Sequence, residues 1–148
     1  MRLRRLVRPD YSLQGLSEEK LFVIMPSVKK KILVVDDNVD AADTLTLLLR
    51  NEGHDVHTAY GGRDAIQIAD HVRPDVVLLD IQMPKMSGYD LVRELRRHER
   101  APRPLLIAVS AWGQESDKLA SKQAGFDHHL TKPVDPEALL RLVGAQRL

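Results

Sequence analysis

The sequence predicts a doubly wound α/β domain, in which a five-stranded parallel sheet carries helices on both faces. Two observations predict this class. Short, nearly continuous aliphatic runs recur along the chain, and a segment of helical length and period follows each of them. Because parallel strands need crossover connections, this alternation is typical of five successive βα units. Ligands of such sheets bind at the carboxyl ends of the strands, so we expect the informative side chains there.

The five strands are predicted from runs of Val, Ile and Leu. Three of these runs suit strands covered on both faces, and they span residues 31–35, 76–79 and 105–109. Two weaker strands are predicted at 55–59 and 126–130.

The five helices are predicted from helical periodicity together with stop signals. They span 39–51 with Gly53 after it, 63–71 ending before Pro74, 88–99, 114–124 with Gly125 as stop, and 136–143. Strands and helices therefore alternate without a break from residue 31 onward.

The composition is that of one ordinary globular domain. With 148 residues, of which 43% are hydrophobic and 29% charged, the chain is long enough to bury a core unaided. No apolar run approaches the roughly 18 residues of a membrane span, and a formal net charge of +1 gives no electrostatic footprint for nucleic acid. The absence of cysteine excludes disulfides, thiolate catalysis and cysteine-ligated zinc. We expect a cytoplasmic protein that binds neither nucleic acid nor membranes.

The first 28 residues do not share this pattern. Four arginines stand among the first eight residues, but the longest apolar run, 21–25, is too short for the core of a signal peptide. We expect residues 1–28 to form a poorly ordered N-terminal extension and residues 29–148 to form the folded domain. Met25 stands just before the folded pattern, so the sequence leaves open whether Met1 or Met25 is the true start.

Polar side chains stand at the carboxyl ends of four predicted strands. Asp36 and Asp37 follow the first strand, Asp80 the third and Ser110 the fourth, and Lys132 lies just beyond the fifth. Three carboxylates at one rim repel one another and raise each other's pKa unless a cation neutralises them. An oxygen-only ligand set suits Mg²⁺, which binds one or two carboxylates together with water and substrate phosphate.

The same residues suit phosphoryl transfer. Its transition state needs positioning and charge neutralisation, which a metal on one side and the Lys132 ammonium on another can supply. Ser110 can donate to a remaining oxygen, and one of the carboxylates can serve as nucleophile. Taken singly, these residues are more often solvated acids, a surface lysine and a strand-closing serine. Their coincidence at one rim favours a functional site.

Four segments in order, ILVVDDN, VVLLDIQMPKMSGYDL, IAVSA and HHLTKPVD, resemble the receiver domain of bacterial two-component response regulators. The resemblance extends from residue 30 to about residue 143, and it implies a flavodoxin-like sheet with strand order 2-1-3-4-5. It also implies that Asp80 accepts a phosphoryl group from a sensor histidine kinase or a histidine phosphotransfer protein. Asp36, Asp37, the Asp80 carboxylate and the backbone carbonyl of Gln82 are then the ligands of Mg²⁺, for which Mn²⁺ can substitute.

The resemblance also assigns roles to residues on the other side of the phosphoryl group. Lys132 pairs with that group, Ser110 swings in to hydrogen-bond it, and the Lys132–Pro133 peptide bond is cis. The family usually has Tyr or Phe three residues before the lysine, where this chain has His129, which is therefore the candidate switch residue. The alternative is that His129 stays at the surface and that switching relies on Ser110 and its loop.

Two further positions are candidates for tuning the lifetime of the phosphoryl group. Trp112, two residues after Ser110, neighbours the route of the attacking water in the family, and Gln82 stands two residues after the acceptor. The alternative for Trp112 is a surface residue at the start of a helix.

Three classes of function remain open at this point. The leading one is a stand-alone receiver, since the chain ends soon after the fifth helix; it would be a monomer or weak dimer that signals to an unidentified downstream protein. We expect it to be no enzyme apart from slow self-dephosphorylation. A phosphohydrolase of the haloacid dehalogenase type would need a second acid at Asn38, and a phosphorylation-independent pseudo-receiver usually lacks an acid or the lysine. The sequence does not name the cognate kinase, the target or the pathway.

Overall fold

The computed structural model describes residues 28–97 and 103–144. It contains five strands and five helices in strict alternation. They are β1 (Lys31–Val35), α1 (Val39–Asn51), β2 (Asp55–Ala59), α2 (Gly62–Val72), β3 (Val76–Asp80), α3 (Gly88–Arg97), β4 (Leu105–Ser110), α4 (Glu115–Ala124), β5 (His128–Thr131) and α5 (Pro136–Gly144). The predicted fold class is confirmed.

All neighbouring strands are parallel, and their order is β2-β1-β3-β4-β5. The chain therefore reverses its direction of travel across the sheet at β1, so β1 and β3 lie side by side at the switch point. The carboxyl ends of β1, β3, β4 and β5 consequently meet at one rim.

The aliphatic side chains of the strands feed two core layers because successive residues of a strand point to opposite faces. Ile32 and Val34 pack on the face covered by α1 and α5. Leu33 and Val35 pack on the face covered by α2, α3 and the end of α4. Burial on both faces explains why β1, β3 and β4 read as continuous aliphatic runs.

Local signals fix several helix ends. The Asn38 side chain accepts a hydrogen bond from Ala41 N and caps α1, while Gln114 and Asp117 form a capping box at α4. The predicted stop at Gly125 is confirmed, since its φ of +120° is one that glycine adopts readily.

Several predicted boundaries differ from the structure. Strands β3 and β4 run one residue further than predicted, so Asp80 and Ser110 are the last residues of their strands and not the first residues after them. The predicted strand 126–130 is β5 at His128–Thr131, because Phe126 N donates to Ser121 O and so belongs to the end of α4. The predicted end of α3 at Glu99 lies outside the described residues, as do residues 1–27 of the predicted extension and both candidate start methionines.

None of the helices in the described ranges is long and apolar enough to cross a bilayer.

Candidate functional site

Three aspartates converge at the switch point of the sheet. Asp36 follows β1 directly and is 2% exposed, Asp80 ends β3 and is 4% exposed, and Asp37 lies at the surface. One carboxylate oxygen from each residue lies within 4.8 Å of the others. Burying two of three acids at this spacing is costly unless positive charge lies nearby.

Backbone N–H groups orient the two buried carboxylates in the same way. Asp36 Oδ1 accepts from Asn38 N at 2.9 Å, and Asp80 Oδ1 accepts from Gln82 N at 2.9 Å. In each case the donor is two residues further along the chain, where the strand has just ended. The Oδ2 atom of each acid is thereby left for a different partner.

Lys132 is the partner of both Oδ2 atoms. Its Nζ lies 3.3 Å from Asp36 Oδ2 and 3.3 Å from Asp80 Oδ2. Its side chain is 32% exposed, and its backbone N donates to Ser110 O at 2.8 Å, which joins the end of β5 to β4. The Lys132–Pro133 peptide bond is cis, in agreement with the expectation from the sequence.

The charges of this cluster act on one another. Burial is the main reason why the pKa of Asp36 is raised, and the charge of Asp80 adds to it, while the Asn38 N–H and Lys132 act in the opposite direction. Burial by itself would lower the pKa of Lys132, but the charges of Asp80 and Asp36 outweigh it, and that pKa is raised. Three carboxylates and one ammonium leave an excess of negative charge, so the donor set fits a hard divalent cation.

Ser110 lies at the rim of this cluster and is fully buried. Its Oγ accepts a hydrogen bond from Trp112 N at 2.9 Å, so the hydroxyl is engaged with the loop between β4 and α4. Gln82 also reaches this loop, because its Oε1 accepts from Ala111 N at 3.0 Å. The loop, residues 111–114, is therefore tied to side chains on both sides of the site.

His129 and Trp112 are in direct contact. His129 is half-buried, and its Nε2 lies 2.9 Å from Trp112 O; because a carbonyl only accepts, Nε2 carries the proton. His129 Nδ1 is buried and has no hydrogen-bond partner within the described residues. The Trp112 residue is 53% exposed and lies in the 111–114 loop, three residues before α4 begins.

The structure thus brings Asp36, Asp37, Asp80 and Lys132 together, with Gln82 and Ser110 at their edge. His129 lies further out and reaches the site through the Trp112 carbonyl. The role of Asn38 as the N-cap of α1 was not predicted, although an Asn directly before a helical pattern is an N-cap signal. Sequence reasoning also missed the N–H of Ala111, which no sequence signal could have found because it is a backbone group.

Comparison with known proteins assigns this architecture to a family. A family model described as the response regulator receiver domain matches residues 32–144. The chain belongs to this family. It is therefore a receiver domain, a signalling module of two-component systems.

Relatives and solved structures agree with this assignment. The receiver domain is 39% identical over 115 residues to the protein PilH of Pseudomonas aeruginosa, a match that covers 78% of this chain and 95% of PilH. It is 41% identical over 115 residues to an uncharacterised 14.6 kDa protein of Leptolyngbya boryana, with 76% and 86% of the two chains covered. The structure of the chemotaxis protein CheY4 of Vibrio cholerae superposes with a TM-score of 0.73 at 29% identity, covering 78% of this chain and 97% of that one.

Proposed function

We propose that this receiver domain accepts a phosphoryl group on Asp80 from the phosphohistidine of a sensor histidine kinase or a histidine phosphotransfer protein. The observation that carries the proposal is the convergence of three aspartates within 4.8 Å, with the Lys132 ammonium 3.3 Å from the two buried ones. Asp80 is the acceptor in this scheme because the match to the family motif assigns that role to the aspartate at the end of β3. Its Oδ1 is held by Gln82 N, which fixes the direction of the carboxylate.

Mg²⁺ is the proposed cofactor, and Mn²⁺ can take its place. Asp36, Asp37, Asp80 and the backbone carbonyl of Gln82 would hold the ion, and a cluster of oxygen donors with excess negative charge suits it. When bound, the ion supplies neutralisation of the charge on the transferring phosphoryl group.

The residues of the chain account for the rest of the transfer. A carboxylate oxygen of Asp80 attacks phosphorus, a P–O bond forms and the P–N bond to the donor imidazole breaks, leaving the electron pair on the ring nitrogen. Lys132, already beside Asp80 Oδ2, pairs with the phosphoryl oxygens. Ser110 leaves Trp112 N and donates its hydroxyl proton to a phosphoryl oxygen. The protein is then a phosphoryl acceptor with slow self-dephosphorylation and no turnover of external substrates.

Movement of Ser110 is proposed to transmit the signal. The loop 111–114 follows Ser110, and His129 holds it through the Trp112 carbonyl, so His129 is the proposed switch residue on β5. Trp112 and Gln82 flank the site and are proposed to tune the lifetime of the phosphoryl group. The proposed output is a change in affinity for a downstream protein, and neither nucleic acid nor a membrane takes part. The protein is proposed to be a cytoplasmic monomer or weak dimer, with residues 29–148 as its folded unit.

The two alternative functions receive no support. In a haloacid dehalogenase-type hydrolase the residue at position 38 would be a second acid, whereas here Asn38 caps α1 with its side chain. A pseudo-receiver would lack part of the charge cluster, whereas here the three acids lie within 4.8 Å of one another and Lys132 pairs with two of them.

Labelling from a phosphodonor tests this function. Incubation with radiolabelled acetyl phosphate or a phosphorylated histidine kinase should label the wild-type protein with Mg²⁺ and leave it unlabelled in EDTA. Asp80→Asn should abolish labelling, while Asp64→Asn, which removes an exposed acid of α2, should leave it unchanged. Equal labelling of Asp80→Asn and wild type would refute Asp80 as the acceptor.

A further inference from the structure

The first two backbone N–H groups of the 111–114 loop both donate to side chains. Trp112 N donates to Ser110 Oγ at 2.9 Å, which is a local contact within the same strand end. Ala111 N donates to Gln82 Oε1 at 3.0 Å, and Gln82 lies two residues after the end of the neighbouring strand β3. The second contact joins the acceptor segment to the loop without involving Ser110.

Gln82 contacts both the acceptor and the loop. Its backbone N donates to Asp80 Oδ1 at 2.9 Å, and its side-chain Oε1 accepts from Ala111 N. Because Asp80 pairs with Val109 across the sheet, Ala111 lies two residues beyond the partner of the acceptor, at the same rim. A phosphoryl group attached to the Asp80 carboxylate adds oxygens that need hydrogen-bond donors, and the Ala111 N–H is one donor at this rim.

We propose that the Gln82 carboxamide occupies the N–H of Ala111 in place of a phosphoryl oxygen and so holds the loop in its resting position. The proposal rests on Asp80 being the phosphoryl acceptor. A phosphoryl oxygen displaces Gln82 Oε1 because a charge-assisted hydrogen bond is roughly twice as strong as a neutral one. Gln82 is a positioning residue in this scheme, since it acts through Ala111 and has no part in the bond that forms.

The resting contact then acts against anion binding. A phosphoryl group must break one neutral hydrogen bond before it can take the Ala111 N–H, and such a bond changes an equilibrium by about three- to tenfold. A chain without the carboxamide should bind a phosphoryl mimic more tightly by that factor, and its loop should open more often in the absence of any anion.

Hydrogen exchange tests the contact itself. In the metal-free protein, the Ala111 amide should exchange about three- to tenfold faster in Gln82→Met than in wild type. If Gln82→Met does not fold, Gln82→Ala takes its place, with the same expected increase. Gln82→Glu retains an acceptor oxygen at the same reach, and because its bond to Ala111 N is charge-assisted, the amide should exchange no faster than in wild type. Gln67→Met, at an exposed position of α2, is the matched control and should keep the wild-type rate. An unchanged Ala111 rate in Gln82→Met would overturn the proposal.

Beryllofluoride binding tests the displacement. With Mg²⁺ present, its apparent dissociation constant should be about three- to tenfold lower in Gln82→Met than in wild type, and unchanged in Gln67→Met. Equal or weaker binding by Gln82→Met would overturn the displacement. If wild type binds no beryllofluoride, the proposed function itself fails. Normal wild-type binding with unchanged exchange in Gln82→Met removes only the role of Gln82.

Discussion

At the scale of single residues, the Lys132 ammonium offsets part of the negative charge of the acid cluster. Its ammonium is shared equally by Asp36 Oδ2 and Asp80 Oδ2, at 3.3 Å from each. The positive charge of Lys132 disfavours binding of a divalent cation and favours binding of the anionic phosphoryl group. Metal binding and phosphorylation should therefore respond to its removal in opposite directions.

Lys132→Met tests this opposition. Mg²⁺ should bind about five- to tenfold more tightly to the variant, since a charge pair at a partly exposed site contributes about 1 kcal/mol. Labelling by acetyl phosphate should fall by at least about tenfold because the phosphoryl oxygens lose a charged donor. Calorimetry measures the first quantity and labelling rates the second, with Lys122→Met at an exposed site of α4 as control. Weaker Mg²⁺ binding to Lys132→Met would contradict this account of the lysine.

His54 couples stability to pH at a position remote from the acid cluster. It is buried, and its Nδ1 accepts from Lys30 N at 3.2 Å, which requires the neutral ring. Burial, and secondarily the charge of Lys30, lower the pKa of His54 below its ordinary value of 6.5, while Glu52 acts in the opposite direction. The unfolded chain therefore binds a proton at a pH at which the folded protein does not.

The free energy of unfolding should fall as the pH drops below about 6.5. This fall should end once the pH is below the lowered pKa of His54 in the folded state. The slope for one proton is at most about 1.4 kcal/mol per pH unit. His54→Asn keeps an acceptor for Lys30 N and should reduce the slope, whereas His71→Asn at an exposed site of α2 should leave it unchanged. Urea titrations between pH 7.5 and 5.5 measure it. Identical slopes in wild type and His54→Asn would disprove this role.

At the scale of elements, α3 packs on the acceptor strand through a glycine. A Cβ at Gly88 would lie 2.5 Å from Ile81 Cα and 2.9 Å from Asp80 O, both of which are backbone atoms. Gly88 N also donates to Ile81 O at 3.0 Å. The glycine therefore sets how closely the helix approaches the end of β3.

Gly88→Ala should reduce the free energy of unfolding by about 2 kcal/mol, because the backbone of the acceptor segment cannot move aside cheaply. Gly62→Ala is the matched comparison, since that glycine begins α2 and its Cβ would meet Met86 Sδ, the flexible end of a side chain. It should cost less than about 1 kcal/mol. Urea denaturation measures both values, and an equal loss in the two variants would contradict the packing argument.

Sequence alone predicted the elements well and their ends less well. Aliphatic runs identify β1, β3 and β4 because strands that are buried on both faces are apolar at nearly every position. The shift of β5 from 126–130 to His128–Thr131 has a local cause: Phe126 is apolar and buried as a strand residue would be, but its N–H closes the end of α4. Hydrophobicity cannot distinguish these two uses of a buried aromatic residue.

At the scale of the whole molecule, the strand order explains why the site could be predicted. Parallel strands deliver their carboxyl ends to one rim, so Asp36, Asp80 and Lys132 converge although 96 residues separate the first from the last. The contacts of Gln82 with Ala111 and of His129 with Trp112 could not be predicted, because they depend on side-chain rotamers and on the path of a loop.

Mapping of the phosphorylated residue identifies the phosphoryl acceptor among the three aspartates. Wild-type protein incubated with acetyl phosphate and Mg²⁺ is reduced with borohydride, which converts an aspartyl phosphate to homoserine, and is then digested for mass spectrometry. We expect homoserine at position 80 and unmodified aspartate at positions 36 and 37. Homoserine at position 36 or 37 in place of position 80, or its absence from all three positions, would rule out Asp80 as the phosphoryl acceptor.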